Sequence, residues 1–254
     1  GGKKSGGAGG EGEGEGEGGA LWDIYSLTRL AMARCSTARC AMDLMGHVAV
    51  AQGYYGDPTE PGESLMVADP DEGFVFHVLA DKTGTSAIWV AQRVPDDSMA
   101  VVANMYTVRE VDLDDTFNFL GRQDMWELAL ADGLWDSSRP KDFTATFSDG
   151  EYGHKYYSGR RMWGAWRLVA PKFVAASVPP EYGDLRDDAP YPFAVKVEKK
   201  LTVRDVAAVH RDWYAGTPYD LSAGLQGGFQ ASPDRYNGCR DGGGGDGNET
   251  VSCG

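Results

Sequence analysis

Four apolar runs separated by three turn signals fill Ser64 to Val108. They are Ser64–Ala68, Gly73–Ala80, Ser86–Val94 and Met99–Val108, rich in the Val, Phe, Trp and Ile that suit a pleated surface. Between them stand Asp69-Pro70-Asp71-Glu72-Gly73, Asp81-Lys82-Thr83-Gly84 and Pro95-Asp96-Asp97-Ser98. Each supplies a φ-restricting Pro, a backbone-bonding Asp or a permissive Gly. Connections this short exclude a parallel crossover, so the pattern predicts an antiparallel meander. Phe74, Phe76 and Val78 share one face of the second run, and Val75, His77 and Leu79 the other. Both faces are largely apolar, which predicts a sheet covered on both sides.

Periodicity changes on either side of this block. Trp22 to Gly53 reads as two helices. Asp23 or Ser26 caps the first, Thr37 caps the second, and Gly53 and Gly56 stop it. After Val108, Asp114 or Asp115 is expected to open a short helix, and a second runs from Gln123 to Asp132. Residues 141–157 read as irregular. Gly159–Ala170 is an amphipathic helix with Met162, Trp166 and Val169 inward and Arg160, Arg161 and Arg167 outward, ended by Pro171. Three arginines in so acidic a chain are expected to pair with internal carboxylates. Pro190–Val197 reads as a strand, and a Thr202-capped helix continues through His210 to Trp213.

The two ends carry no such pattern. Residues 1–20 are mostly Gly with four Glu, and 237–254 are again Gly-rich. Neither offers enough apolar surface to offset ordering entropy, so both are expected to be disordered. Asn248-Glu249-Thr250 is formally a glycosylation sequon, a pattern common by chance. The expected organisation is therefore a linker over 1–20, a structured domain over 21–236 and a tail over 237–254.

Charge narrows the partners. Across 254 residues, 38 acidic side chains face 24 basic ones, for a formal net charge of −14. That balance repels phosphate backbones and anionic lipid, so neither nucleic acid nor a membrane surface is an expected partner. No apolar run reaches the roughly 18 residues of a spanning helix. The chain does not begin with Met and shows no signal segment, which reads as a processed or incomplete polypeptide.

Candidate chemistry is sparse. Cys35 and Cys40, five residues apart in a helical region, would project about 140° apart. That is wrong for a shared metal, so they are expected to be small buried side chains. A disulfide between Cys239 and Cys253 has nothing to support it. Asp112, Asp114 and Asp115 suit helix capping better than a metal. His47, His77, His154 and His210 are scattered without metal-ligand spacing, and no cofactor is expected. There is no GxSxG elbow, P-loop or dinucleotide fingerprint, and nothing favours a Ser-His-Asp or Cys-His arrangement.

Separated words carry the reading further. They are Ala68-Asp69-Pro70, Trp89-Val90-Ala91-Gln92-Arg93-Val94-Pro95-Asp96, and Ala103-Asn104. Tyr156-Tyr157-Ser158-Gly159-Arg160-Arg161 with Trp163, and His210 to Leu221 (HRDWYAGTPYDL), complete the set. In this order, from about Trp22 to Tyr236, they resemble the peptidase C69 dipeptidases, a family that includes the secernins. The resemblance implies an α+β fold: part of an N-terminal-nucleophile hydrolase αββα sandwich, its antiparallel sheets covered by helices. It implies a metal-independent, cysteine-type dipeptidase whose N-terminal Cys attacks a dipeptide substrate, with its own α-amine as base. It also implies that Asn104 donates to the oxyanion, an Asn otherwise disfavoured within an apolar strand.

None of the four cysteines stands where that nucleophile belongs, so this chain as given is expected to be inactive. The alternatives are a catalytically inactive secernin-like binding module and an acyl-amide amidase of the same fold. Uncovered sheet edges predict a homo-oligomer or poor solubility.

Overall fold

The computed structural model describes residues 19–56, 62–148, 158–177 and 192–223. The chain divides into two compact units, Gly1–Asp96 with Asn104–Gly150, and Asp97–Ala103 with Glu151–Gly254. Helices accompany antiparallel sheets in an α+β arrangement. Among the described residues no helix is long and apolar enough to cross a membrane.

The first unit begins with α1 (Ile24–Arg34) and α2 (Ala38–Gln52), both capped as the sequence predicts. The Asp23 carboxylate accepts the Ser26 amide, the Thr37 hydroxyl accepts the Cys40 amide, and Gly53 takes φ 80° to end α2. Trp22 forms a parallel bridge to Tyr54, and Ala20 is buried, so packed structure starts one residue inside the expected linker.

The expected account of the cysteines is corrected. Cys35 leaves the helix in extended conformation as the C-cap of α1, and Cys40 is exposed. The two form a disulfide, with Cα atoms 5.6 Å apart. A break of three residues between α1 and α2 brings together side chains that one continuous helix would have splayed.

Next comes the meander: β1 (Gly62–Ala68), β2 (Gly73–Ala80) and β3 (Ala87–Arg93), all antiparallel. Phe74, Phe76, Val78, Trp89 and Ala91 pack against Leu27, Met42, Met45 and Ala49 of the helices. Full burial of each large side chain is worth about 1.5–3 kcal/mol, so this layer holds the unit together. The opposite face is covered too: Tyr106 and Phe143 lie against His77, their ring centroids 4.7 and 6.0 Å away.

The fourth apolar run is not a meander strand. Only β4 (Ser98–Ala100) is extended, and it pairs in the second unit with β6 (Ala194–Lys196). The chain then turns at Asn104 and runs on as an irregular segment with Ala103, Tyr106, Thr107 and Val108 buried. The fourth strand of the large sheet is instead β5 (Phe119–Gly121), paired with β3. The helix expected from Asp114 or Asp115 is a series of turns, in which Asp112 accepts the Asp114 amide and Asp115 accepts the Asn118 amide. Asp side chains that bond the backbone two or three residues on suit turns as well as helix starts.

The first unit closes with α3 (Met125–Ala131) and α4 (Phe143–Phe147), the latter capped by Asp142 inside a stretch expected to be irregular. The second unit contains α5 (Arg160–Val169), α6 (Pro171–Ser177) and α7 (Val203–His210). Pro171 ends α5 and opens α6, consistent with its fixed φ at a first helical position. Thr202 and Asp205 form a reciprocal capping box, and α7 stops at His210 rather than Trp213. The remaining expectations for the linker, the tail, the sequon, Cys239 and Cys253 lie outside the described residues.

Candidate functional site

Several residues of the family-like words act as structural clamps. Asp69 closes the β1–β2 turn by accepting the Asp71 and Glu72 amides through Oδ1. Its Oδ2 accepts the Ala38 amide at 2.7 Å, tying that turn to the start of α2. These backbone donors, Ala38 first, lower its carboxyl pKa. Glu72 takes both Nε and Nη2 of Arg39, at 3.1 and 2.8 Å, and Nε of Arg93 at 3.3 Å. Arg93 also donates to Asp96 at 2.6 Å, while Arg39 reaches the Thr116 and Phe117 carbonyls. Glu72 in the β1–β2 turn thus ties Arg93 of β3 to Arg39 of α2, and Arg39 ties α2 to the turns before β5. Residue type follows from geometry: only a guanidinium fork serves two carboxylate oxygens and two carbonyls together.

Asn104 differs from these. The sequence places it on a strand, and the structure places it in a turn at φ 51°, exposed, where the chain re-enters the first unit. Asn tolerates left-handed backbone better than other non-glycine residues, so the turn accounts for the Asn that strand propensity does not.

His77 is one of the groups that hold this segment. Its Nε2 accepts the Thr107 amide at 3.0 Å and the Val108 amide at 3.3 Å. An Nε2 that accepts cannot carry the proton in a neutral ring, so Nδ1–H donates to Ser64 Oγ at 2.7 Å. Burial lowers the His77 pKa to about 3. The Ser64–His77 pair therefore lacks the geometry of a nucleophile and base: the nitrogen facing the hydroxyl already holds a proton. Tyr106 donates to the Val78 carbonyl, and the Val108 carbonyl accepts both the amide and hydroxyl of Thr144. Arg109 pairs with Asp142 at 2.8 Å.

The second unit assembles the late words. Arg167 Nη2 contacts both oxygens of Asp212, at 2.6 and 2.7 Å, as the expected internal pairing. Asp212 also accepts the Tyr214 amide. The Tyr214 ring is parallel to Trp163 at 6.4 Å, and Arg160 lies 3.9 Å above the Tyr219 ring. Gly164 leaves room for Tyr214, since a Cβ there would meet its ring at 2.6 Å. Burial, then the Asp212 charge, raises the Tyr214 phenol pKa. Asp220 accepts the Gly216 and Ser222 amides and closes the final turn. Tyr156 and Tyr157 lie outside the described residues.

The sequence model of peptidase family C69 matches residues 22–238. This chain belongs to peptidase family C69. The family match takes in both units and every word quoted above.

Among curated proteins, the chain is 27% identical over 195 residues to a probable dipeptidase of Latilactobacillus sakei, covering 77% of this chain and 37% of that protein. It is 26% identical over 185 residues to a probable dipeptidase of Salmonella dublin, covering 72% and 39% respectively. Dipeptidase A of Lactobacillus helveticus matches at 23% over 132 residues, covering 52% and 26%. The chain thus spans about a quarter to two fifths of the length of the curated relatives it matches.

The residue that sequence reasoning missed is His77, one of four histidines with no motif around them. A signal existed in the meander itself. The tight turn that closes Ala68 on Gly73 sets the register that brings Ser64 opposite His77.

Proposed function

We propose that this C69 chain is the central portion of a cysteine-type dipeptidase built as an N-terminal-nucleophile hydrolase. The carrying observation is the ordered set of family words matched over residues 22–238, among which Asn104 stands exposed at a turn with φ 51°. On this reading a cysteine thiolate attacks the dipeptide carbonyl. The cysteine's own α-amine, with an unperturbed pKa near 8, takes the thiol proton and returns it to the leaving amine. The carbonyl oxygen becomes an oxyanion, and Asn104 Nδ2–H donates to it. Water then releases the acyl group from sulfur. Cys35 and Cys40 are linked to each other and lie at helix ends, so neither supplies this thiolate. The reading assigns the nucleophile to sequence outside these 254 residues. It requires no cofactor, takes a dipeptide as partner, excludes nucleic acid, and places self-association at sheet edges. The αββα sandwich and the single domain over 21–236 are part of the same proposal.

Coding sequence upstream of Gly1 provides the first test. A cysteine placed to become the first residue after processing supports the enzyme. Its absence supports the secernin-like module. An extended protein should then hydrolyse dipeptides and lose turnover on thiol alkylation. Cleavage of acyl amides with dipeptides untouched would establish the amidase instead.

A further inference from the structure

His77 is fully buried, has no charge partner among the described residues, and has no part in the chemistry proposed above. Alternation along β2 would be served by an aliphatic residue there, as at Val75 on the same face. Yet it spends all of its hydrogen-bonding capacity in one direction of assembly. Ser64, directly opposite on β1, receives Nδ1–H. The lone pair on Nε2 receives two successive amides, Thr107 and Val108, from the irregular segment. Those two residues are buried, and a buried amide requires an acceptor. The segment has no ladder partner at these positions, because the fourth apolar run does not join the meander.

The surroundings hold the imidazole in this orientation. Tyr106 packs at 4.7 Å on one side and Phe143 at 6.0 Å on another, with the Tyr106 hydroxyl anchored on the Val78 carbonyl. Gly62 completes the enclosure: a Cβ there would fall 1.9 Å from the Tyr106 oxygen. Only Met105 and Tyr106 separate the pinned Thr107 from Asn104, so little slack remains between the pin and the turn.

We propose that His77 is a positioning residue: through Ser64 on one nitrogen and the Thr107 and Val108 amides on the other, it fixes the turn that presents Asn104. The consequence for turnover rests on the reading of Asn104 as oxyanion donor; the mechanical role does not. His77→Gln preserves an acceptor oxygen and a donor nitrogen, whereas His77→Phe preserves only size.

Amide hydrogen exchange on the full chain reads the mechanical role. His77→Phe should speed exchange at Met105 to Val108 by roughly tenfold or more relative to Met42 and Ala49 in α2, and His77→Gln should restore part of the protection. Should His77→Phe not fold, Ser64→Ala reads the same relay, with a smaller rise at the same amides. In the unmodified chain, imidazole 15N shifts at neutral pH should report the Nδ1–H tautomer. Unchanged protection in the folded variants, a rise spread evenly over α2, or an Nε2–H tautomer would overturn the proposal. In the extended, active protein His77→Phe should lower kcat with KM little changed, by roughly ten- to a hundredfold for a displaced donor, and His77→Gln should recover part of it. Loosened amides with unchanged kcat would overturn the Asn104 reading while leaving the pin in place.

Discussion

Asp69 accepts the amide of Ala38 at 2.7 Å, although the two lie 31 positions apart in sequence. One carboxylate thereby closes the β1–β2 turn and holds the first turn of α2 against the sheet. Asp69→Ala removes the acceptor for three amides, and Asp69→Asn keeps one acceptor oxygen. Thermal unfolding should show a fall in Tm for both, larger for Ala. Because the folded pKa is lowered, the contribution is present above the ordinary carboxyl value and lost as pH falls through the folded one. Equal Tm values for the two variants would remove the clamp.

Helix α2 meets the sheet most closely where Gly46 faces Trp89. A Cβ on Gly46 would fall 2.1–2.4 Å from the indole ring. Ala is the better helix former, so an uncrowded site would gain about 1 kcal/mol from Gly46→Ala. Here the clash is with a rigid ring that is almost fully buried, so the substitution should cost about 1–3 kcal/mol by denaturant unfolding. A stabilised variant would mean that the helix and strand can separate freely.

The His77 pKa sets a second pH dependence. The folded imidazole titrates near 3 and the unfolded one near its ordinary 6.5. Between those values the unfolded chain binds the extra proton, so stability is full above about 6.5 and declines as pH falls toward 3. The decline is up to about 1.4 kcal/mol per pH unit. Denaturant midpoints measured from pH 7 to 4 should fall, and the fall should be shallower in His77→Gln. Parallel profiles would show that His77 titrates alike in the folded and unfolded chain, contradicting its enclosure.

Much of the local structure was legible before any coordinates. Asp23, Thr37 and Thr202 cap the helices they were expected to cap, because a short polar side chain ahead of an apolar period has few other uses. Three meander strands followed from turn chemistry and alternation. The fourth did not, since apolar content measures burial and not hydrogen bonding. Met99–Val108 is buried in part as irregular backbone, supported by a histidine on a distant strand. β5 was hidden behind aspartates that suit turns and caps alike. The Cys35–Cys40 disulfide was hidden because a three-residue break reverses the helical projection of both side chains. For the candidate site, the family words singled out Asn104 by number, while its left-handed φ of 51°, a conformation Asn tolerates, was marked by no sequence pattern.

Under the proposed function, Asn104 donates to the oxyanion formed when a thiolate attacks a dipeptide. The direct measurement is kcat on a hydrolysed dipeptide for Asn104→Ala in the upstream-extended, active protein. A fall of roughly 10²–10³ with the fold intact is expected. Turnover equal to that of the unsubstituted protein would contradict it.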